Sequence, residues 1–175
     1  MIIDTLRHSR LTSTQTAAIN SLQKTIWPQS RRLTQKMPLT FIDDPIHYVA
    51  WEDDRAIAHA MTFLRTIITS QGHLPILALR AVCTHPAYRG RNLGRDVVTR
   101  AFARIDGSMF VASLFQTNVP VFYKKIGARQ VSNAFINSTH PSIPQASPWW
   151  DPFVMVYPRD TVLPAGCIDL NGGGY

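Results

Sequence analysis

Apolar positions change their spacing several times along the chain, and each change marks an element. Ala18, Ile19, Leu22 and Ile26 share one face of a helix over 13–26, stopped by Pro28, behind a short first strand at 2–6. Residues 29–45 carry no period and read as irregular. Two strand-like runs follow at 47–51 and 56–67, joined as a hairpin by the acidic turn Glu52-Asp53-Asp54. A third run, 74–84, is apolar except at Arg80, and Pro86 closes it because proline cannot donate to a ladder. Leu93, Val97, Val98, Ala101, Phe102 and Ile105 then return to helical spacing. A buried strand at 109–115 and a short helix at 120–126 follow, the helix with Pro120 in its first turn and Gly127 beyond its end. Strands are expected at 128–135 and 153–157, separated by an irregular excursion over 136–152 that holds Trp149 and Trp150. Strands alternating with helices predict a mixed α/β sheet.

At 175 residues and 45% hydrophobic content the chain fits one compact domain, 1–175. No apolar run approaches the roughly 20 residues of a bilayer span, so a soluble, cytoplasmic protein with no membrane partner is the expectation. Cys83 and Cys167 are too few and too scattered for a zinc site or a disulfide framework, and no metal is expected. Charge changes the picture more. The formal net charge is +7, and residues 89–129 hold eight basic side chains against two acidic ones. That concentration suits a phosphorylated cofactor or a nucleic acid, and otherwise a solubilising face.

Between the third strand and the following helix lies Tyr88-Arg89-Gly90-Arg91-Asn92-Leu93-Gly94. A loop that opens a helix aims free N–H groups at one place, where the helix dipole also favours an anion. Gly90 and Gly94 permit positive φ or close approach of a ligand, and Asn92 tolerates left-handed backbone better than most residues. In its context of strand, arginines and amphipathic helix, the loop resembles the acyl-coenzyme A loop of GNAT acyltransferases, [Q/R]-x-x-G-x-[G/A]. Arg89 stands in the first place, Asn92 replaces the usual glycine, and Gly94 stands in the last.

The resemblance implies an α/β (α+β) GNAT fold: a mixed, mostly antiparallel sheet of six to seven strands, flanked by helices and splayed at the acyl-CoA site. It implies acetyl-CoA or another acyl-CoA as cosubstrate, held by Arg89, Gly90, Arg91, Asn92, Leu93, Gly94 and Arg95. Backbone groups of Val82, Cys83 and Thr84 would meet the pantetheine arm, one amide polarising the thioester carbonyl.

Tyr123, four residues before Gly127, is similar to the tyrosine that protonates the departing thiolate in that family, which makes it the candidate catalytic acid. Gln116 stands where an asparagine is common seven residues earlier, and Asn118 is a second candidate for that contact. The glutamate that often relays the proton of the attacking amine is missing: Ala78, Leu79 and Arg80 occupy its region. His59, His85, a water chain or an already neutral amine are the alternatives. His59 alternates with Ile57, Met61 and Phe63, the pattern of a satisfied core histidine as well as of a base.

Residues 46–175 further resemble aminoglycoside 2'-N-acetyltransferases, through Ala56-Ile57-Ala58-His59-Ala60, Arg65 and Val154 to Tyr157. The tail containing Asp169 is similar to the end of nodulation N-acyltransferases. The expected function is transfer of acetyl to a small-molecule amine, with no nucleic acid partner and a homodimer as the candidate assembly. Competing readings are a longer-chain N-acyltransferase, a non-catalytic acyl-CoA-binding protein, and nucleic-acid binding by the basic segment. Trp149 and Trp150 are candidates for a substrate wall, a subunit contact, or anchors of a surface loop.

Overall fold

The computed structural model describes residues 2–28, 43–107 and 110–175. The chain divides into two compact units, one of Met1–Phe63 with Leu79–Ala103, the other of Leu64–Ala78 with Arg104–Tyr175. Two long strands, β3 (Arg55–Thr69) and β4 (Gly72–Thr84), contribute to both. Nine strands among the described residues form a mixed, mostly antiparallel sheet, the GNAT architecture expected. Six are five residues or longer; the other three are two-residue strands, which takes the number above the six to seven expected.

In the first unit, β1 (Ile3–Arg7) pairs antiparallel with β2 (Ile46–Glu52), and β2 with β3 from Ile46↔Thr62 to Glu52↔Arg55. The register slips once: Trp51 faces Ala56 but Ala50 faces Ala58, leaving Ile57 as the extra residue of a β-bulge. Helix α1 spans Ser13–Ile26 as its apolar period predicts. It starts on a capping box, in which the Thr12 hydroxyl accepts from the Gln15 N–H and the Gln15 side chain accepts from the Thr12 N–H. Ile19 and Leu22 are buried with Val49, Ala56 and Cys83, so the helix covers one face of this part of the sheet.

In the second unit, β5 (Ser113–Thr117) pairs in parallel with β4 through Leu77↔Ser113 and Ala78↔Leu114 alone. The crossover between these strands is α2 (Leu93–Asp106). β8 (Phe153–Tyr157) lies antiparallel to β5 along its whole length, and β6 (Arg129–Gln130) pairs with β8. β7 (Phe135–Ile136) runs parallel to β9 (Ile168–Asp169), which meets β3 at Ile68. Helix α3 (Pro120–Lys124) follows β5.

Three expectations shift. The strand expected at 109–115 is registered by β8 to Ser113–Thr117, while Val111 is exposed and residues 108 and 109 lie outside the described residues. The strand expected at 128–135 pairs only at its ends, because the Asn133 side chain turns away to donate to the carbonyls of Pro164 and Gly166. β9 has no periodicity to announce it. The irregular stretch expected at 29–45 lies, for 29–42, outside the described residues. No helix among them is long and apolar enough to cross a membrane.

Candidate functional site

In the first unit β4 does not run straight to its end. Ala81 takes φ 53°, a left-handed conformation unusual for a residue with a Cβ, and it kinks the strand just before Val82, Cys83 and Thr84. Past the kink the Cys83 side chain points into the core formed with Ile19, Leu22, Val49 and Ala56. Burial pushes its thiol up to about 12, so Cys83 is an inert packing residue, and only its backbone is a candidate for ligand contact. The strand leaves through His85, whose N–H donates to the Ile57 carbonyl at 2.8 Å.

A single 3₁₀ turn, Pro86–Tyr88, carries the chain toward the loop. Tyr88 braces it: its hydroxyl donates to the Glu52 carboxylate, the Arg55 guanidinium lies 3.5 Å from the same oxygen, and Arg91 sits over its ring at 5.1 Å. Arg89, Gly90, Arg91 and Asn92 are exposed. Gly90 takes φ 80° and Asn92 φ 62°, so asparagine fills the left-handed position it was expected to tolerate. The Asp96 N–H donates to the Asn92 carbonyl at 3.0 Å and closes the first turn of α2. The amides of Leu93, Gly94 and Arg95 stand ahead of that bond, at the positive end of the helix. Leu93 anchors this end in the core with Val97 and Val98, while the Arg95 side chain is exposed. The result is a rigid, arginine-flanked turn with open backbone, and a Cβ at Gly90 would meet nothing within 4 Å. These features fit a pyrophosphate.

His59 lies fully enclosed on β3, at 0% exposure. Its Nδ1 is 3.0 Å from the Ala81 carbonyl oxygen and its Nε2 2.9 Å from Nδ1 of His47; His47 Nε2 is 3.0 Å from Nδ1 of the exposed His8. A carbonyl only accepts, so His59 Nδ1 carries the proton. Neutral His59 then accepts at Nε2 from His47 Nδ1–H, and His47 accepts at Nε2 from His8 Nδ1–H. Burial lowers His59 to about 4, a fall that the Arg80 charge adds to and the bond to Ala81 opposes. Burial also lowers His47 to about 3, with His59 and His8 adding to the effect and Asp44 opposing it. Neither His8, His47 as a partner, nor the kink at Ala81 is visible as a sequence motif.

In the second unit Tyr123 is buried on α3, its ring 4.6 Å from Phe115 and 4.9 Å from Phe122. The helix ends directly after it: the Ile126 and Ala128 N–H groups both reach the Tyr123 carbonyl at 3.0 Å, and Gly127 turns the chain with φ 92°. Gln116 is committed inside the protein. Its Oε1 accepts from the Trp150 and Asp151 N–H groups, both at 2.8 Å, and its Nε2 donates to a Tyr175 backbone oxygen at 2.9 Å. Asn118 is exposed in the turn after β5. Trp149 packs edge-on against Phe135 and Tyr175 and anchors the 136–152 excursion. Asp169 is buried; desolvation would raise its carboxyl, but hydrogen bonds from the Ser138 and Asn171 N–H groups and the Arg65 charge hold it below its ordinary value. Among the described residues no three His, Cys, Asp or Glu side chains gather as metal ligands.

Residues 43–127, just under half of the chain, match the family model described as an acetyltransferase (GNAT) domain. That segment holds the kinked strand, the arginine loop and the tyrosine helix. No curated protein sequence matches the chain. Among solved structures, an acyl-CoA N-acyltransferase from Pseudomonas aeruginosa aligns with TM-score 0.60 and 18% identity over 89% of this chain and 97% of its own. ElaA from Escherichia coli aligns with TM-score 0.58 and 18% identity over 91% and 99%. An aminoglycoside 6'-N-acetyltransferase complexed with coenzyme A aligns with TM-score 0.59 and 14% identity over 89% and 96%. The fold is the GNAT fold. The matched segment is similar to an acetyltransferase domain of that type, and GNAT acetyltransferases take their acyl group from acetyl-CoA or another acyl-CoA.

Proposed function

We propose that the protein is an acyl-CoA-dependent N-acyltransferase that moves acetyl from acetyl-CoA to the amine of a small molecule. The observation that carries the reading is the Arg89–Gly94 turn, with left-handed Gly90 and Asn92 exposed between arginines at the mouth of α2, inside the matched acetyltransferase segment. Arg89, Gly90, Arg91, Asn92, Leu93, Gly94 and Arg95 hold the pyrophosphate through backbone N–H groups and charge, and Val82, Cys83 and Thr84 align the pantetheine arm through their backbone. The bound thioester supplies an activated acyl group.

The amine nitrogen attacks the thioester carbonyl, the carbon–sulfur bond breaks, and Tyr123 delivers its phenolic proton to the departing sulfur. With Ala78, Leu79 and Arg80 in the region of the usual glutamate, the ammonium proton leaves through water or His85, or the acceptor is already neutral. His59, enclosed and bonded at both ring nitrogens, does not touch the amine. Gln116 and Asn118 are second-rank cofactor contacts: Gln116 is bonded to backbone groups, and Asn118 alone of the two is exposed.

The acceptor is a small amine of modest charge. A polycationic aminoglycoside, which the likeness to 2'-N-acetyltransferases brings to mind, needs open carboxylates, whereas Asp169 is buried and bonded to backbone. The missing glutamate supports one alternative, an acyl-CoA-binding protein without turnover, and acyl-chain preference separates acetyl from longer donors. The working picture is a cytoplasmic enzyme, a homodimer if it assembles.

Calorimetric titration of acetyl-CoA into the wild type and Gly94→Trp, with thiol release followed across an amine panel, tests the reading. Micromolar binding lost in Gly94→Trp and a roughly hundredfold loss of kcat in Tyr123→Phe support it. Binding without thiol release promotes the non-catalytic reading. Absence of binding, with salt-dependent retention on DNA or RNA, replaces it by nucleic-acid binding.

A further inference from the structure

We propose that His59 is a positioning residue: through Nδ1–H it holds the kink at Ala81, and so the line of the acyl-binding strand, in a tautomer dictated by His47 and His8. This rests on the acyltransferase reading only for the identity of the ligand. The geometry is that of an anchor. A positive φ at a residue with a Cβ is unfavourable and persists only where surroundings over-determine it. Here the Ala81 carbonyl receives His59 Nδ1–H at 3.0 Å on one side of Val82, and on the other side the Cys83 side chain is locked in the core. Val82, the first residue assigned to the pantetheine arm, is thus held between two fixed points.

The anchor works only while His59 donates from Nδ1. A neutral imidazole carries one ring proton, and the Nε2 tautomer would lose the bond to Ala81. His47 excludes that tautomer by presenting its own Nδ1–H to His59 Nε2 at 2.9 Å, and His8 does the same for His47 at 3.0 Å. The β-bulge at Ile57 makes this possible. Without its extra residue His59 would face Tyr48, and His47 would lie on the opposite face of the sheet; with it, His59 faces Val49 and lies diagonal to His47 on the same face. Among the described residues, the other polar and charged groups that act on the pair are the Gln23 amide, 3.5 Å from His59 Nδ1, the Arg80 charge next to the kink, and Asp44 toward His47.

The test compares His59→Asn, His59→Gln and His59→Phe, alone and with Ala81→Gly. Asparagine places an N–H donor near Nδ1; glutamine keeps a polar group but reaches past it; phenylalanine has neither. Expected for Phe and Gln is a fall in kcat of about a hundredfold with amine KM and acetyl-CoA Kd within about threefold, because alignment and not the pyrophosphate loop is disturbed. Asn recovers most of the loss. Ala81→Gly recovers about tenfold in the Phe or Gln background, since glycine takes positive φ unaided. Unchanged kcat in Gln, or Asn as damaged as Gln, overturns the proposal. Amide hydrogen exchange over residues 80–84 reads the same anchor without turnover: faster in Gln and Phe than in Asn supports it, and equal rates overturn it. If the wild type binds no acetyl-CoA, the acyltransferase reading fails while the exchange measurement still decides the anchor.

Discussion

Acidifying the protein from about pH 8 to about pH 5 should remove a large part of its folding stability, because two histidines must stay neutral inside it. His47 and His59 start from an ordinary value of 6.5, and burial first of all lowers them to about 3 and about 4. Between those limits the unfolded chain binds both protons and the folded chain almost none. Their contribution is therefore complete above 6.5, is lost as pH falls through the window, and levels off below about 4 for His59 and about 3 for His47. At about pH 5 each histidine accounts for roughly 2 kcal/mol, about 4 for the pair, and stability there falls with a slope of nearly two protons. Domains of this kind have only about 5–15 kcal/mol in total, so the effect is large.

Urea unfolding followed by circular dichroism across this range measures it, with a His47→Asn/His59→Asn double variant beside the wild type. The variant starts less stable, but its stability should depend on pH by about two protons fewer. Imidazole Cε1–H resonances supply a direct reading: two of the six histidines should remain at neutral shifts at the acid end. Parallel stability profiles for wild type and variant, or six histidines titrating near the ordinary value, would refute the buried neutral pair.

Gly127→Ala should lose about 1–2 kcal/mol in thermal unfolding, since the residue adopts φ 92° and an added Cβ would stand 3.3 Å from Tyr157 Cε2. Thr12→Ala removes the hydroxyl that accepts from the Gln15 N–H, and should cost about 1 kcal/mol by the same measurement. Asn92→Gly should gain about 0.5–1 kcal/mol by relieving φ 62°, with acetyl-CoA affinity within about threefold by calorimetry; a tenfold loss of affinity would assign the asparagine side chain to the ligand.

Helix α1 was legible to the residue because period and stop agree: Ile19 and Leu22 fall on the buried face, and Pro28 follows the end. The loop was legible because its chemistry is local, and Asn92 needs no distant contact to show that the backbone turns left-handed. β9 was not, because two residues paired to β3 and β7 owe their extended form to partners far away in sequence. Gln116 illustrates the same limit. Its place before Tyr123 gives no sign of the donors and acceptor it meets inside the protein, which come from Trp150, Asp151 and Tyr175.

The histidine series shows most sharply where pattern reading stops. Alternation correctly put His59 on an inward face, yet alternation assigns faces strand by strand and says nothing about which faces of two strands coincide. That depends on register, and the one-residue bulge at Ile57 sets it by advancing β3 from Trp51↔Ala56 to Ala50↔Ala58. The same residue offers its carbonyl to the His85 N–H at 2.8 Å, where β4 turns into the loop. A single extra residue thus brings His59 to the face of His47 and ties the exit of β4 to its neighbour. A hairpin with regular pairing would keep every residue type and every local motif of this sequence and lose both connections, so the placement of the candidate site rests on an irregularity that has no compositional signature.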